Sequence, residues 1–265
     1  MIKGLLSLDE NLASSIALRY AAKLIETLPL QLQAAHVETP DEKQHSAGSS
    51  WVRRTWEKEL QEAGLMAIQR LLNTEKVPCP FIGPPKIFVG DRDEKLLEEL
   101  RIDGYDLFME GNLNTSNVGD FSALLSSRLY TRAPCPIMVV KNLVTSRSAV
   151  LLCGDGVDHT TFIPQALRIL VGSDLGLDLL FFRYQETEKP VFMDKKEAGS
   201  TLVEAEGLLQ DRGLRAENSQ VVCGTPEGVA ALLKKYSVAA STFPTRKSPR
   251  LELLAHCPSP VLLCK

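Results

Sequence analysis

Glycine lets a backbone come close to a phosphate. With no Cβ in the way, successive N–H groups can close on oxyanion oxygens at the mouth of a helix, whose N-terminus adds favourable partial charge. One stretch of this 265-residue chain stands where such a loop belongs: MEGNLNTSNVGDFSALLSS, Met109 to Ser127, leaves an apolar run and enters a helical pattern. Its glycines are mostly missing. Gly111 opens the loop, while Asn112, Asn114 and Asn117 follow it, residues that tolerate left-handed backbone. With Ser126 and Ser127 nearby, a monophosphate or an adenosine moiety is compatible with the loop. Two carboxylates oppose tighter binding. Glu110 precedes Gly111, and Asp120 is placed to cap the following helix, where it takes the N–H groups a phosphate needs.

Other chemistry is sparse. Six cysteines (Cys79, Cys135, Cys153, Cys223, Cys257, Cys264) contain no CxxC pair, several lie in apolar runs, and they read as buried thiols of a reducing compartment. The four histidines are equally scattered, so no metal site is expected; His36 and His159 read as strand-end and helix-start residues. Arg246, Lys247 and Arg250 could receive an anion, although a solvated basic loop is the plainer reading. The turn GTPEG, Gly224 to Gly228, has Thr225 as a cap and Pro226 at the first helical position. There is no nucleophile elbow and no lysine after a glycine loop, so nothing reads as catalysis.

Elements to position these residues follow from periodicity. GLLSLD is a strand, and Leu12, Ile16, Tyr20, Leu24 and Leu28 then recur at helical spacing up to Pro29. LQLQAAHV is a second strand. After the polar stretch Glu38 to Ser50 comes a helix with Trp56, Leu60, Ala63, Ala67 and Leu71 on one face, then the strand PKIFVG. Asp91 caps the helix DEKLLEELRI, YDLFME is strand four, and a helix around Phe121 to Arg132 leads to the strand PIMVV. Strands alternating with helices predict a parallel sheet covered on both faces. The plan then restarts: AVLLCGD matches GLLSLD with Asp155 against Asp9, VVCGTPEGVAALLKK matches IFVGDRDEKLLEEL with Gly224 against Gly90, and PSPVLLCK matches PCPIMVVK without a gap. Two homologous domains are expected, residues 1–141 and 148–265, joined by a linker at 142–147.

The segments LLSLDEN, AAHVETP, FVGDRDEKLLEEL, YDLFMEGN and RAPCPIMVVK together resemble the universal stress protein family, over most of the first half and more faintly over the second. The resemblance implies two tandem adenine-nucleotide-hydrolase-like α/β domains, each a five-stranded parallel sheet of order 3-2-1-4-5 with helices on both faces. ATP-binding members carry Gly-x-x-Gly, nine residues, then Gly followed by Ser or Thr. Here Gly111 takes the first position and Asn114 the second; counting back from Pro136 puts Ala123 and Leu124 at the last two, and counting forward from Asn114 puts Leu124 and Leu125 there. The loop is thus one residue short of the pattern, and Leu124 lacks a hydroxyl and would fill phosphate space. Asp9 and Val37 match the positions that meet adenosine, leaving Asp9, Val37, Gly111, Asn112 and Asn114 as a vestigial nucleotide site. The structural alternative is that Asp9 caps the first helix and Val37 ends a buried strand. In the second half Phe243 is set against Gly111; Pro260 follows it by 17 positions where Pro136 follows Gly111 by 25, so eight residues of loop are missing and no glycine is left to cradle a ligand.

The expected function is therefore non-enzymatic: a stress-response scaffold binding a protein partner or small ligand, with no cofactor and no tight ATP binding. The last strands, with Ile137, Val139, Val261 and Leu263, are expected to join the halves as an internal pseudo-dimer, with a homodimer of chains also open. An ATP or AMP sensor or slow ATPase using the first domain is the alternative; a flavin or adenine-nucleotide redox protein lacks any cofactor motif. Composition agrees with a folded chain: 44% hydrophobic, 24% charged. A net charge of −3 gives no attraction to nucleic acid. The early apolar run is cut by Asp9 and Glu10, and no run is long enough to span a membrane, so a cytoplasmic location is expected.

Overall fold

The computed structural model describes residues 1–40, 50–144 and 146–265, without the side chains of 50–53. Most of the polar stretch Glu38 to Ser50 therefore lies outside the described residues. The first half runs β1 (Ile2–Ser7), α1 (Leu12–Ile25), β2 (Leu30–Glu38), α2 (Ser50–Glu75), β3 (Lys86–Val89), α3 (Arg92–Ile102), β4 (Leu107–Gly111), α4 (Val118–Leu125), α5 (Arg128–Arg132) and β5 (Ile137–Val140). The second runs β6 (Ser148–Gly154), α6 (His159–Leu170), β7 (Gly176–Tyr184), β8 (Val191–Met193), α7 (Thr201–Gln210), β9 (Asn218–Gly224), α8 (Pro226–Leu232), β10 (Val238–Thr242), α9 (Pro249–His256) and β11 (Val261–Cys264).

The strands form one sheet of order β3-β2-β1-β4-β5-β11-β10-β6-β7-β9-β8. Each half contributes five parallel strands in the order 3-2-1-4-5. The second half adds β8, antiparallel to β9 at the edge, a strand the polar flanks of VFM did not reveal. At the centre β5 and β11 pair antiparallel, Ile137 against Leu263 and Val139 against Val261. Strands of the two halves thus point opposite ways, and their C-terminal ends open at opposite ends of the sheet.

Two core layers run across the junction. One face buries Leu6, Tyr20, Leu24, Leu151, Phe162 and Phe181, under α1 and α6; the other buries Leu5, Leu97, Phe121, Val150, Val229 and Leu254, under α3, α4, α8 and α9. Lysines after the two central strands clasp the opposite half. Lys141 Nζ donates to the carbonyls of Leu254 and Ala255 (3.1 Å) at the end of α9, and Lys265 Nζ to those of Thr131 (3.1 Å) and Ala133 (2.6 Å) at the end of α5. A cation at a helix C-terminus is favourably placed, so each half stabilises the last helix of the other.

Several local expectations change. The buried face of α2 passes through Gly64 and Ile68, and Ala63 is exposed; a Cβ on Gly64 would come within 3.0 Å of His36 and Ile87 side-chain atoms, so the small residue is what lets α2 lie on β2 and β3. Leu12, the first residue of α1, is exposed. The helix expected around Phe121 to Arg132 breaks at Ser126 into α4 and α5, because Ser127 caps a new helix by accepting from Tyr130 N–H.

The Gly224–Gly90 and PSPVLLCK–PCPIMVVK matches hold, but at the first and fourth strands the repeat registers one residue away from the sequence match. Asp106 N–H donates to Lys3 O and Ser237 N–H to Ser148 O, both at 2.8 Å; Asn112 N–H donates to Val140 O (2.9 Å) and Phe243 N–H to Cys264 O (3.2 Å). These bonds set Lys3 against Ser148 and Asn112 against Phe243. Asp9 is therefore matched by Gly154, and Gly111 by Thr242. Matching Asp9 with Asp155 would put Leu5 of one core layer on Leu151 of the other, and a one-residue slip of that kind inverts every side chain of a strand.

Candidate functional site

In an open parallel sheet, ligands bind beyond the C-terminal ends of the strands where the strand order reverses. In the first half that place lies between β1 and β4, and the expected residues do converge there. Gly111 ends β4 half-buried, and a Cβ built on it would lie 2.0 Å from the Ala13 carbonyl oxygen. The start of α1 is seated directly on this glycine. Asn112 follows with its N–H on Val140 O, and its side chain accepts from Asn114 N–H (3.1 Å). Asn114 begins a single 3₁₀ turn, Asn114–Ser116.

The cap of α4 is Asn117, not Asp120: its Oδ1 accepts from Gly119 N–H (2.8 Å) and Asp120 N–H (3.4 Å). Four N–H groups of the loop and helix start are thus already accepted by the protein itself. Ala123 and Leu124 fall in the last turn of α4, and Leu124 packs against the core rather than projecting into phosphate space.

Asp9 is exposed, with its carboxylate on Glu10 N–H (3.1 Å) and 3.6 Å from His36 Nδ1. It does not cap α1. That role belongs to Asn11, which accepts from Ser14 N–H at 2.8 Å. Val37 is half-buried near the end of β2 and packs on the same core layer as Phe88. His36 is a structural strand residue, its ring bonded to Leu8 O (2.9 Å) and Glu38 Oε1 (3.2 Å).

Glu110 does not face the loop as a free charge. It is buried, receives hydrogen bonds from Arg92 and the Tyr130 hydroxyl, and Arg92 also donates to Ser7 Oγ (3.1 Å). Burial alone would lower the Arg92 pKa, but the Glu110 carboxylate reverses this and holds it above its usual value. The signal for this pair was the acidic residue in an otherwise apolar strand, together with an arginine at the start of the preceding helix.

In the second half the corresponding place holds an open cleft of about 330 Å³, lined by Asp155, Arg183, Tyr184, Thr242, Phe243 and Arg250 among others. Phe182, the counterpart of Val37, also lines it. Arg250, in the first turn of α9, donates to Thr242 Oγ1 (3.2 Å) and reaches Asp155 O (3.5 Å). Its guanidinium lies over Gly154, where a Cβ would sit 2.8 Å from Nη2. Among the described residues no group of three or more His, Cys, Asp or Glu side chains is arranged to hold a metal, and no helix is long and apolar enough to cross a membrane. All six cysteines are free thiols, and burial pushes Cys135, Cys153 and Cys264 up to about 12.

No protein-family model matches the chain, and no curated protein matches it. Solved structures do. A universal stress protein from Archaeoglobus fulgidus DSM 4304 superimposes with a TM-score of 0.59 at 16% identity, over 99% of this chain and 96% of that one. The fold is that of the tandem universal stress proteins. A functionally unknown protein, PA1789 from Pseudomonas aeruginosa PAO1, superimposes with a TM-score of 0.54 at 15% identity, over 99% of this chain and 92% of that one. At such identities the universal stress protein likeness carries the arrangement of strands and helices, and the residues at the strand ends have to speak for chemistry.

Proposed function

We propose that this chain is a tandem member of the universal stress protein family that works in the cytoplasm by binding, not by catalysis. Its first half keeps the strand-to-helix junction of a nucleotide site without the means to grip a triphosphate. The observation that supports this is the seating of α1 on Gly111: the glycine admits the Ala13 carbonyl where a phosphate loop would admit an oxyanion, and an acceptor already fills that space. Asn112 and Asn117 spend their side-chain oxygens on the loop's own backbone.

The two halves act as an internal pseudo-dimer. The β5–β11 pairing and the reciprocal lysines support this reading, because they bury the apolar strands that would otherwise be open edges. The remaining surface is then free for a protein partner or a small ligand.

The test is a calorimetric titration of ATP, ADP and AMP into the purified chain, after the supernatant of denatured protein has been checked for co-purified nucleotide. The expected result is no ATP binding at micromolar strength. Binding at about 1 μM or tighter, roughly −8 kcal/mol, would overturn the proposal and make the chain a nucleotide sensor using Asp9 and the Gly111 loop.

A further inference from the structure

We propose that the cleft at the ends of β6, β7 and β10 binds a small organic oxyanion, a carboxylate or a phosphate monoester with an apolar body, and that Arg250 receives its charge. The inference goes beyond the reading of the first half and does not rest on it.

Charge bookkeeping in the cleft points to an anion. Arg183 is matched, with Asp155 and Glu197 carboxylate oxygens each at 3.7 Å. Arg250 is held by a hydroxyl and a backbone carbonyl, both neutral, and no described carboxylate lies within 4.0 Å of it. A desolvated cation without a partner is costly, and a bound anion removes that cost. Burial lowers the Arg250 pKa, with Cys153 and Asp155 compensating only in part. Its field also reaches the buried His159 at the start of α6, whose Nε2 has no partner and whose pKa is depressed by burial and by that positive charge.

In the first half the arginine near the strand ends comes from a different helix, α3, and has a carboxylate of its own. There Glu110 neutralises Arg92. The strand register puts Ser241 in the place of Glu110, and its hydroxyl is buried without a partner. The same register puts Pro226 in the place of Arg92, so both members of the first half's pair are absent from the second, and Arg250 enters from α9 with no carboxylate set against it.

Shape narrows the ligand. One unmatched guanidinium, with Asp155 close by, suits a single anionic group better than a polyphosphate. Tyr184, Phe243 and Pro244 supply an apolar wall for the rest of the molecule. A cavity of about 150 Å³ is enough for benzene, so 330 Å³ takes a ring with its charged group.

The experiment uses the full chain and three probes: benzoate, phenyl phosphate and inorganic phosphate. Calorimetry on wild type should show at least one ring-bearing probe binding more tightly than inorganic phosphate; a tighter phenyl phosphate assigns a phosphate ester, a tighter benzoate a carboxylate. Arg250→Gln should weaken that probe roughly tenfold or more, the worth of a charge-assisted hydrogen bond. The unliganded variant should melt at or above the wild-type temperature, because an unmatched, half-buried cation has gone. If the variant does not fold, the side-chain Nε–Hε signal of Arg250 in ¹⁵N-labelled wild type decides, and it should shift on addition of the probe. No binding of any probe up to about 10 mM, undiminished binding by Arg250→Gln, or binding that leaves the Arg250 signal in place would each overturn the proposal.

Discussion

Replacing Gly111 by alanine tests whether this glycine serves packing or ligand approach. Its backbone is not in the positive-φ region, so alanine carries no conformational penalty there and any cost is steric. The new Cβ would lie 2.0 Å from Ala13 O and 2.4 Å from Ala13 C, a full ångström inside the 3.0 Å limit that real Cβ atoms respect. The obstacle is backbone, so no side-chain rotation relieves it, and the start of α1 must retreat from β4. Forced overpacking costs about 1–3 kcal/mol, and this contact belongs at the upper end, about 2–3 kcal/mol. For a chain of this size each kcal/mol is about 2–4 °C, which makes a fall of about 4–12 °C in melting temperature. Thermal denaturation without nucleotide reads it directly. Gly207→Ala, inside α7 with nothing within 4 Å of the new Cβ, is the control and should gain about 0.5–1 kcal/mol from helix propensity. If Gly111→Ala melts within about 1 °C of wild type, α1 is not clamped on this glycine, and the case against a phosphate at the same position fails.

Two further predictions concern charges. Arg92→Met strands a buried carboxylate beside Tyr130 and should cost about 3 kcal/mol, whereas Glu110→Gln keeps an acceptor for Tyr130, leaves a partly solvated Arg92, and should cost about 1 kcal/mol; denaturant midpoints in the reverse order would contradict the roles given to the pair. Burial lowers Lys141 from 10.5 to about 8, so between those values the unfolded chain binds more protons than the folded one and stability rises with pH across that window. The stability difference between wild type and Lys141→Met should therefore shift in favour of wild type from pH 8 to about 10.5, and a difference that stays flat in parallel urea melts would show that Lys141 is not desolvated against α9.

The fold was legible because its signals are local and repeated. Apolar strands such as LDLLFF and PIMVV, helix starts with their caps, and proline landmarks in both halves each follow from short-range chemistry. Three features were hidden for physical reasons. The strand β8 is three exposed residues, and its pairing with β9 is fixed by tertiary contact. Asn11 and Asn117 compete with nearby aspartates for the same caps, and which side chain reaches the free N–H groups depends on where each helix actually begins. The pair of partly solvated Arg92 and buried Glu110 joins two elements whose adjacency the folded sheet establishes.

The cleft of the second half was hidden from the sequence for a related reason, which turns on one residue of register. Matching Asp155 to Asp9 by letter made the second half look like a worn copy of the first. With Gly154 in that place and Thr242 in that of Gly111, the loss before the last strand is seven residues, since Pro260 follows Thr242 by 18 positions and Pro136 follows Gly111 by 25. α9 begins seven positions after Thr242, as α4 begins seven after Gly111, so the shortening falls in the helical stretch, where α9 alone stands for α4 and α5. Gly154, with no Cβ, then leaves room for Arg250 to lie across the floor between β6 and β10. At the second position of the helix after the strand the first half has Gly119 and the second has Arg250, and that difference in residue type is what places an arginine in the crevice where this fold holds its ligands.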